Sequence, residues 1–481
     1  MLLRNPLNVA SLGLFIVMHV LKLLRLSGVQ LMLEGVFAYY SLDTKEMMLA
    51  KQTVQNDRKG RKQAMKQLED LKSKEGYQVA KAPMLGKWLG IPGSVEDVDY
   101  MVVFGIAIVL NSFIAIILTY LNGSTSSVAV FIGLFGLFMP MHAMFKFEVL
   151  QEQEWSVKLV LAVVLALGVL GSHAALAQWG VARHLFDFGL VRAAAGLDVA
   201  VNSVGDFLAQ RGALSGPYVP IRTDPGHIAL TTSVWAGVLA TSMVGPALRY
   251  AGLLYRATSP PSWASYYLVP NRVNVKVMQL GFAVPLFLVL VQFKPVAALW
   301  GLDEHAALLA FLALLTVMAI THVYSFRPLC QAYLDGAVLE WFKHVHSGRE
   351  FEGKMAAVKT RMLIIKMALG KAAAQLAVPA LLSLAGCCVL LTQAWGSGLL
   401  PFQHGPWSSG NFGAAGAGEG GAGDKDGGKD GEVEGGIAGQ GQLSDLYMFV
   451  FRYLTWWASL AWCVSAYCSM TVSRLGLNTM S

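Results

Sequence analysis

Nine apolar stretches punctuate this chain, at 7–24, 100–121, 127–146, 157–179, 227–248, 276–293, 305–324, 372–394 and 447–470. The hydrocarbon core of a bilayer takes about 20 apolar residues of helix. The pattern therefore predicts an all-α, polytopic membrane helical bundle with about nine transmembrane helices, or about eight to ten depending on where the edges are drawn. The first stretch follows Arg4 in the manner of a signal peptide. Lys22 and Arg25 follow it without a small-residue cleavage site, so 1–25 is expected to be a retained signal anchor.

The intervening polar segments complete the plan. A basic segment covers 26–99, spans two to four cover 100–179, and an amphipathic segment covers 180–226. Spans five to seven cover 227–324, a basic interfacial helix 325–371 and the eighth span 372–394. A Gly-rich acidic loop covers 395–446, and the ninth span with its tail covers 447–481.

Within 26–99, Met65, Leu68 and Leu71 recur at helical spacing beside the basic cluster Arg58, Lys59, Arg61 and Lys62. Next to a membrane span such a cluster reads as contact with anionic lipid headgroups rather than nucleic acid. In 332–371, Leu334, Val338, Trp341 and Phe342 precede Lys354, Lys359, Arg361 and Lys366. This predicts a helix lying in the headgroup region, with a partner-binding helix as the alternative.

In 181–212, Leu197, Val201, Val204 and Leu208 form one apolar stripe. Asp198, Asn202 and Asp206 form a polar stripe beside it. Stacked carboxylates can gather cations at a pore mouth; the commoner reading is the solvated face of a helix resting on the bundle. Residues 409–442, rich in Gly and acidic side chains, cannot bury enough apolar surface to order themselves.

Charge placement predicts an orientation. Alternate gaps hold 28 Lys and Arg residues on one side and 8 on the other, with Arg452 at the mouth of the ninth span. The positive-inside rule then puts the N-terminus outside and the C-terminus in the cytosol. Snorkelling to headgroups accounts for Arg249, Arg327 and Arg452 at span ends; a solvent-exposed pair with Asp445 is a second possibility for Arg452. Pro140, Pro246, Pro285 and Pro379 fall in or at the ends of spans, as proline often does in membranes. Small-residue pairs such as Ala236/Ala240 and Ala162/Ala166 have the spacing of close helix contacts.

Composition agrees with this picture. The 481 residues are 55% hydrophobic and 14% charged, with a mean hydropathy of +0.51, which excludes an ordinary soluble domain. Four of the five cysteines lie in apolar segments and none makes a Cys-x-x-Cys pair, which argues against a zinc site or a disulfide framework.

The sequence holds no phosphate loop, nucleophile elbow or zinc-protease motif. No catalytic, cofactor-binding or metal-binding residue is assigned, and no cofactor is expected. His19, His142 and His173 stand singly in or near spans without an acidic partner. The candidate functional positions are polar residues at span ends and in the amphipathic segment: Asp187, Asp198, Asp206, Arg249, Lys294, Arg327, Gln331 and Arg452.

Several patches, in order along nearly the whole chain, resemble the transmembrane protein 161 family of multi-pass membrane proteins. They are Leu49–Ala50–Lys51–Gln52 leading into Asp57–Arg58–Lys59, then Phe188–Gly189–Leu190, and Phe207–Leu208 with Gly212. Pro246 with Leu248–Arg249, Pro285–Leu286–Phe287 and Lys294–Pro295 follow. Gln331–Ala332–Tyr333–Leu334 and Thr455–Trp456–Trp457 complete the series. The Gly-rich acidic loop departs from the family pattern. The resemblance implies a membrane protein with no established active site, associated in animals with cardiac rhythm and ion currents.

Three functions compete at this point. The first is an accessory or regulatory protein influencing ion currents or membrane organisation, with a membrane-protein partner. The second is a channel or transporter in its own right. The third is a lipid-acting enzyme.

Overall fold

The computed structural model describes residues 20, 32–33, 35–41, 79–83, 94–122, 128–146, 148, 154–211, 219–260, 271–346, 363–365, 368–396 and 438–475. The signal anchor apart from Val20, the basic cluster at 58–62, the amphipathic repeat at 65–71 and the basic residues Lys354, Lys359, Arg361 and Lys366 lie outside the described residues. So do residues 409–437 of the acidic segment expected at 409–442, whose last residues, 438–442, are helical rather than unordered.

Helices dominate. They are α1 (Ser94–Asn122), α2 (Val128–Phe145), α3 (Trp155–Leu176), α4 (Leu190–Gln210), α5 (Pro225–Thr258), α6 (Arg272–Val291), α7 (Glu304–His346), α8 (Leu369–Gly396) and α9 (Ala438–Arg474). Six of them, α1, α3, α5, α6, α7 and α8, are long and apolar enough to cross a membrane. The chain is thus an integral membrane protein built as a helical bundle. Of the nine expected spans, the second to the ninth fall on helices, and the six named here meet the length and hydropathy that crossing requires.

Burial ranks the helices. In α8, 83% of the apolar window is buried, against 28% in α3. The centre is α8 and α9. Around them stand α7, α1 and α2 against α8, and α5, α4 and α6 against α9, while α3 packs on the outside of α5. Leu159, Leu167 and Leu170 of α3 are exposed, as are Trp155 and Trp179 at its two ends. An apolar outer face between terminal tryptophans fits a helix that meets lipid along its length.

Close approach sets the α3–α5 contact. A Cβ on Gly168 would stand 3.0 Å from the Gly237 backbone, and one on Gly237 would meet Val169 at 2.4 Å. Ala236 and Ala240 line the same buried face of α5, as expected from their spacing. Ala162 and Ala166 do not: both are exposed, and α3 uses Gly168 and Ser172 instead.

Two further features differ from the sequence reading. Residues 332–346 are not a separate interfacial helix; they continue α7 for more than five turns beyond the end of the expected span, through Pro328. The helix is not wholly without β company either. Strands β1 (Phe37–Ser41) and β2 (Val79–Pro83) form an antiparallel pair with Phe37 opposite Pro83. Tyrosine, phenylalanine and valine favour such a half-buried ribbon, and β1 packs on α7.

Candidate functional site

The candidate residues gather at the two ends of the bundle. At one end, α3 stops, α5 begins, and the short segment 186–189 turns back over the bundle before entering α4. Phe186 has extended backbone, and alternation along such a backbone sends Phe186 and Phe188 to one side and Asp187 to the other.

The two phenylalanines form an aromatic plug. Phe186 lies 4.8 Å from Phe293 and 5.0 Å from Trp456, and Phe188 lies 4.9 Å from Tyr453 and 5.0 Å from Trp456, between ring centroids. The Trp456 indole N–H donates to the Val289 carbonyl at 3.2 Å, and the Tyr453 and Ser172 hydroxyls bond at 2.7 Å. Gly189 then takes φ +76°, a left-handed conformation that glycine adopts without strain, and α4 starts.

Asp187, on the other side, accepts the Gly189 N–H and pairs with Lys294 at 3.4 Å. Arg192 pairs with Glu304 of α7. Both pairs are about half or more exposed, so each contributes at most about 1 kcal/mol. The hydrogen bond that Arg192 donates to Glu304, then the negative charge of that carboxylate, push the Arg192 guanidinium above its ordinary value.

Arg452 sits deeper. Its Nε and Nη2 donate to Gln292 Oε1 at 2.9 and 2.7 Å, and its guanidinium carbon lies 5.9 Å from the Phe188 ring centre. Neither snorkelling nor the pair with Asp445 describes it: its partner is the neutral, buried amide of Gln292. The Gln292 Nε2 has no partner among the described residues. A polar cavity of about 310 Å³ opens above Arg452, walled by Arg192, Glu304, His305, Ser444, Asp445 and Phe449 among others.

At the opposite end, Gln331 of α7 binds β1 as a neighbouring strand would. Its Oε1 accepts the Phe37 N–H at 2.8 Å, and its Nε2 donates to the Phe37 carbonyl at 3.2 Å and to Asp335 at 2.8 Å. Tyr39 donates its hydroxyl to Asp335 at 2.8 Å. Burial, then the Asp335 charge, push that phenol above its ordinary value. Arg327 donates to the Met32 carbonyl at 3.2 Å, and Arg249 lies over the Tyr333 ring at 5.4 Å. Both arginines therefore have protein partners where snorkelling was expected.

Asp198 and Asp206 join neither group. Asp198 accepts the Thr223 N–H, and Asn202 exchanges two bonds with Ile221, so this stripe holds 221–223 alongside α4. The hydrogen bonds from Thr223 hold the Asp198 carboxyl below its ordinary value. Asp206 is exposed.

One interior group escaped the sequence reading. His322, wholly buried in α7, bonds through Nδ1 to the Met318 carbonyl at 2.9 Å and lies 5.6 Å from both Tyr250 and Trp462. Its Nε2 has no partner among the described residues. It sits inside an apolar run, the position in which a lone histidine is a candidate by default. Nearby, a cavity of about 20 Å³ lined by Ser383, Thr455 and Ser459 has room for about one water. A larger groove of about 600 Å³ between α2, α5 and α9 is lined by Leu134, Phe138, Trp235 and Val450, and is almost wholly apolar.

No protein-family model, curated protein or solved structure matches the chain. What the fold and the two clusters define is a class: an integral membrane protein with a densely filled helical centre.

Proposed function

We propose that this chain is an accessory or regulatory membrane protein that influences ion currents or membrane organisation, as its resemblance to the transmembrane protein 161 family implies. One observation carries the preference over transport. Among the described residues, the plug-end cavity is bounded by Arg452 and Phe188, and the cavity deeper in the bundle, lined by Ser383, Thr455 and Ser459, has room for about one water. Transporters and channels need polar groups lining a path through the bundle. The large groove that does lie between helices is apolar, a surface for lipid tails or a neighbouring helix rather than for ions.

In this reading the hairpin end faces the cytosol, where the basic segments meet anionic headgroups, and the plug end faces outward. A membrane protein is the expected partner. Affinity purification of the full chain from mild detergent tests the proposal. Reproducible recovery of one channel or transporter supports it. Recovery of the chain alone, together with solute flux in reconstituted vesicles, would replace it with the transporter reading.

A further inference from the structure

We propose that the cavity above Arg452 binds a phosphate group, with the Arg452 guanidinium as its main ligand. The inference does not depend on the regulatory reading. A guanidinium has five N–H donors in a planar fork. Gln292 engages two of them through a single acceptor, which leaves three on Nη1 and Nη2. Among the described residues no carboxylate pairs with Arg452: Glu304 is paired with Arg192, and Asp187 with Lys294. A part-buried cation whose one hydrogen-bond partner is neutral, with Glu304 and Asp187 acting on it only through space, keeps donors for an anion beside it.

The cavity walls supply more donors. Gly189 caps α4 without a side chain, so the first-turn amides of α4 are unsatisfied, and Phe188 and Gly189 line the cavity. Glu304 and His305, in the first turn of α7, line it too, but Asp303 caps that turn by accepting the Ala306 N–H at 2.7 Å, so the backbone donors come from α4. Donors from several directions suit a tetrahedral oxyanion. About 310 Å³ is at the lower end of the range for small-molecule sites. Asp445, two turns before Arg452 on α9, lies exposed on the rim and weakens the site for anions.

The phosphate could be a free ion or the headgroup of a phosphatidic-acid-like lipid. The test uses the full chain in neutral detergent and follows its thermal midpoint in two titrations at constant ionic strength. One uses inorganic phosphate; the other uses short-chain phosphatidic acid in phosphate-free buffer. A rise with the first identifies a soluble ligand, and a rise with the second alone identifies a headgroup. In either case Arg452→Gln should weaken the response at least about tenfold, and Asp445→Asn should strengthen it about two- to fivefold. No rise with either compound overturns the proposal, as does an Arg452→Gln protein that responds like the wild type. If Arg452→Gln does not fold, an Asp445→Asn protein with unchanged affinity overturns it.

Discussion

Gln331 and Arg452 occupy opposite ends of the bundle and meet their surroundings differently. The acceptor and the donors of the Gln331 amide are all matched, by the Phe37 backbone and Asp335. The Arg452 guanidinium has one acceptor from protein, and its partner Gln292 keeps a bare Nε2. The first arrangement is complete and reads as a clamp that fixes the hairpin to α7. The second is incomplete and lies beside a cavity. Closed hydrogen bonding fits a structural role, and open hydrogen bonding beside a cavity leaves donors that a ligand could take.

The comparison is broken most severely at the plug. Trp456→Ala removes a fully buried indole from between Phe186 and Phe188, and should cost about 3–5 kcal/mol. Thermal unfolding in detergent should register it as a large fall, with faster hydrogen exchange at 186–190; unchanged exchange there would mean that the plug is held by something else.

Gln331→Ala comes next. It removes the Gln331 bonds to the Phe37 N–H and C=O and to Asp335, which are solvent-exposed at Phe37, for about 0.5–1.5 kcal/mol. Exchange should rise in 37–41 and stay level at the plug end. A rise at both ends would show that the two are coupled, contrary to the comparison.

Arg192→Ala should change stability by less than about 1 kcal/mol, because its pair with Glu304 is exposed and screened. A loss of several kcal/mol would make this pair, rather than the aromatic rings, the anchor of α4.

The smallest effect is with pH. The Asp198 carboxyl is held below its ordinary value, so its bond to Thr223 supports the fold above the usual carboxylate pKa of about 4 and is lost as the pH falls through the lowered one. Asp198→Asn should abolish a small acid-side loss of protection at 221–223. An identical acid profile in both proteins would remove Asp198 from the account.

The apolar runs located eight helices because hydropathy needs only neighbouring residues. They did not distinguish the faces of α4. The stripe of Leu197, Val201, Val204 and Leu208 suggested one buried side, yet Val204 and Leu208 are exposed and Ala193, Gly196 and Ala200 are buried. Small residues carry little hydrophobic weight but let helices approach, so pattern undervalues them. Asp187, Lys294 and Arg452 were each legible as polar residues at span ends. Their convergence was not, because it depends on the turn at Gly189. Nor was the clamp, which joins Phe37 to a side chain 294 residues away. Arg249 and Arg327 were read as snorkelling because sequence shows no neighbour from another element.

The central proposal is that this chain regulates rather than transports, with the plug-end cavity ending at Arg452 and Phe188 among the described residues. Ion flux through the purified full chain in sealed vesicles, compared with protein-free vesicles, tests it most directly. The account predicts no difference, for the wild type and for Arg452→Gln alike. A conductance in the wild type that changes with Arg452→Gln would contradict it, and would turn the cavity above Arg452 into the mouth of a pore.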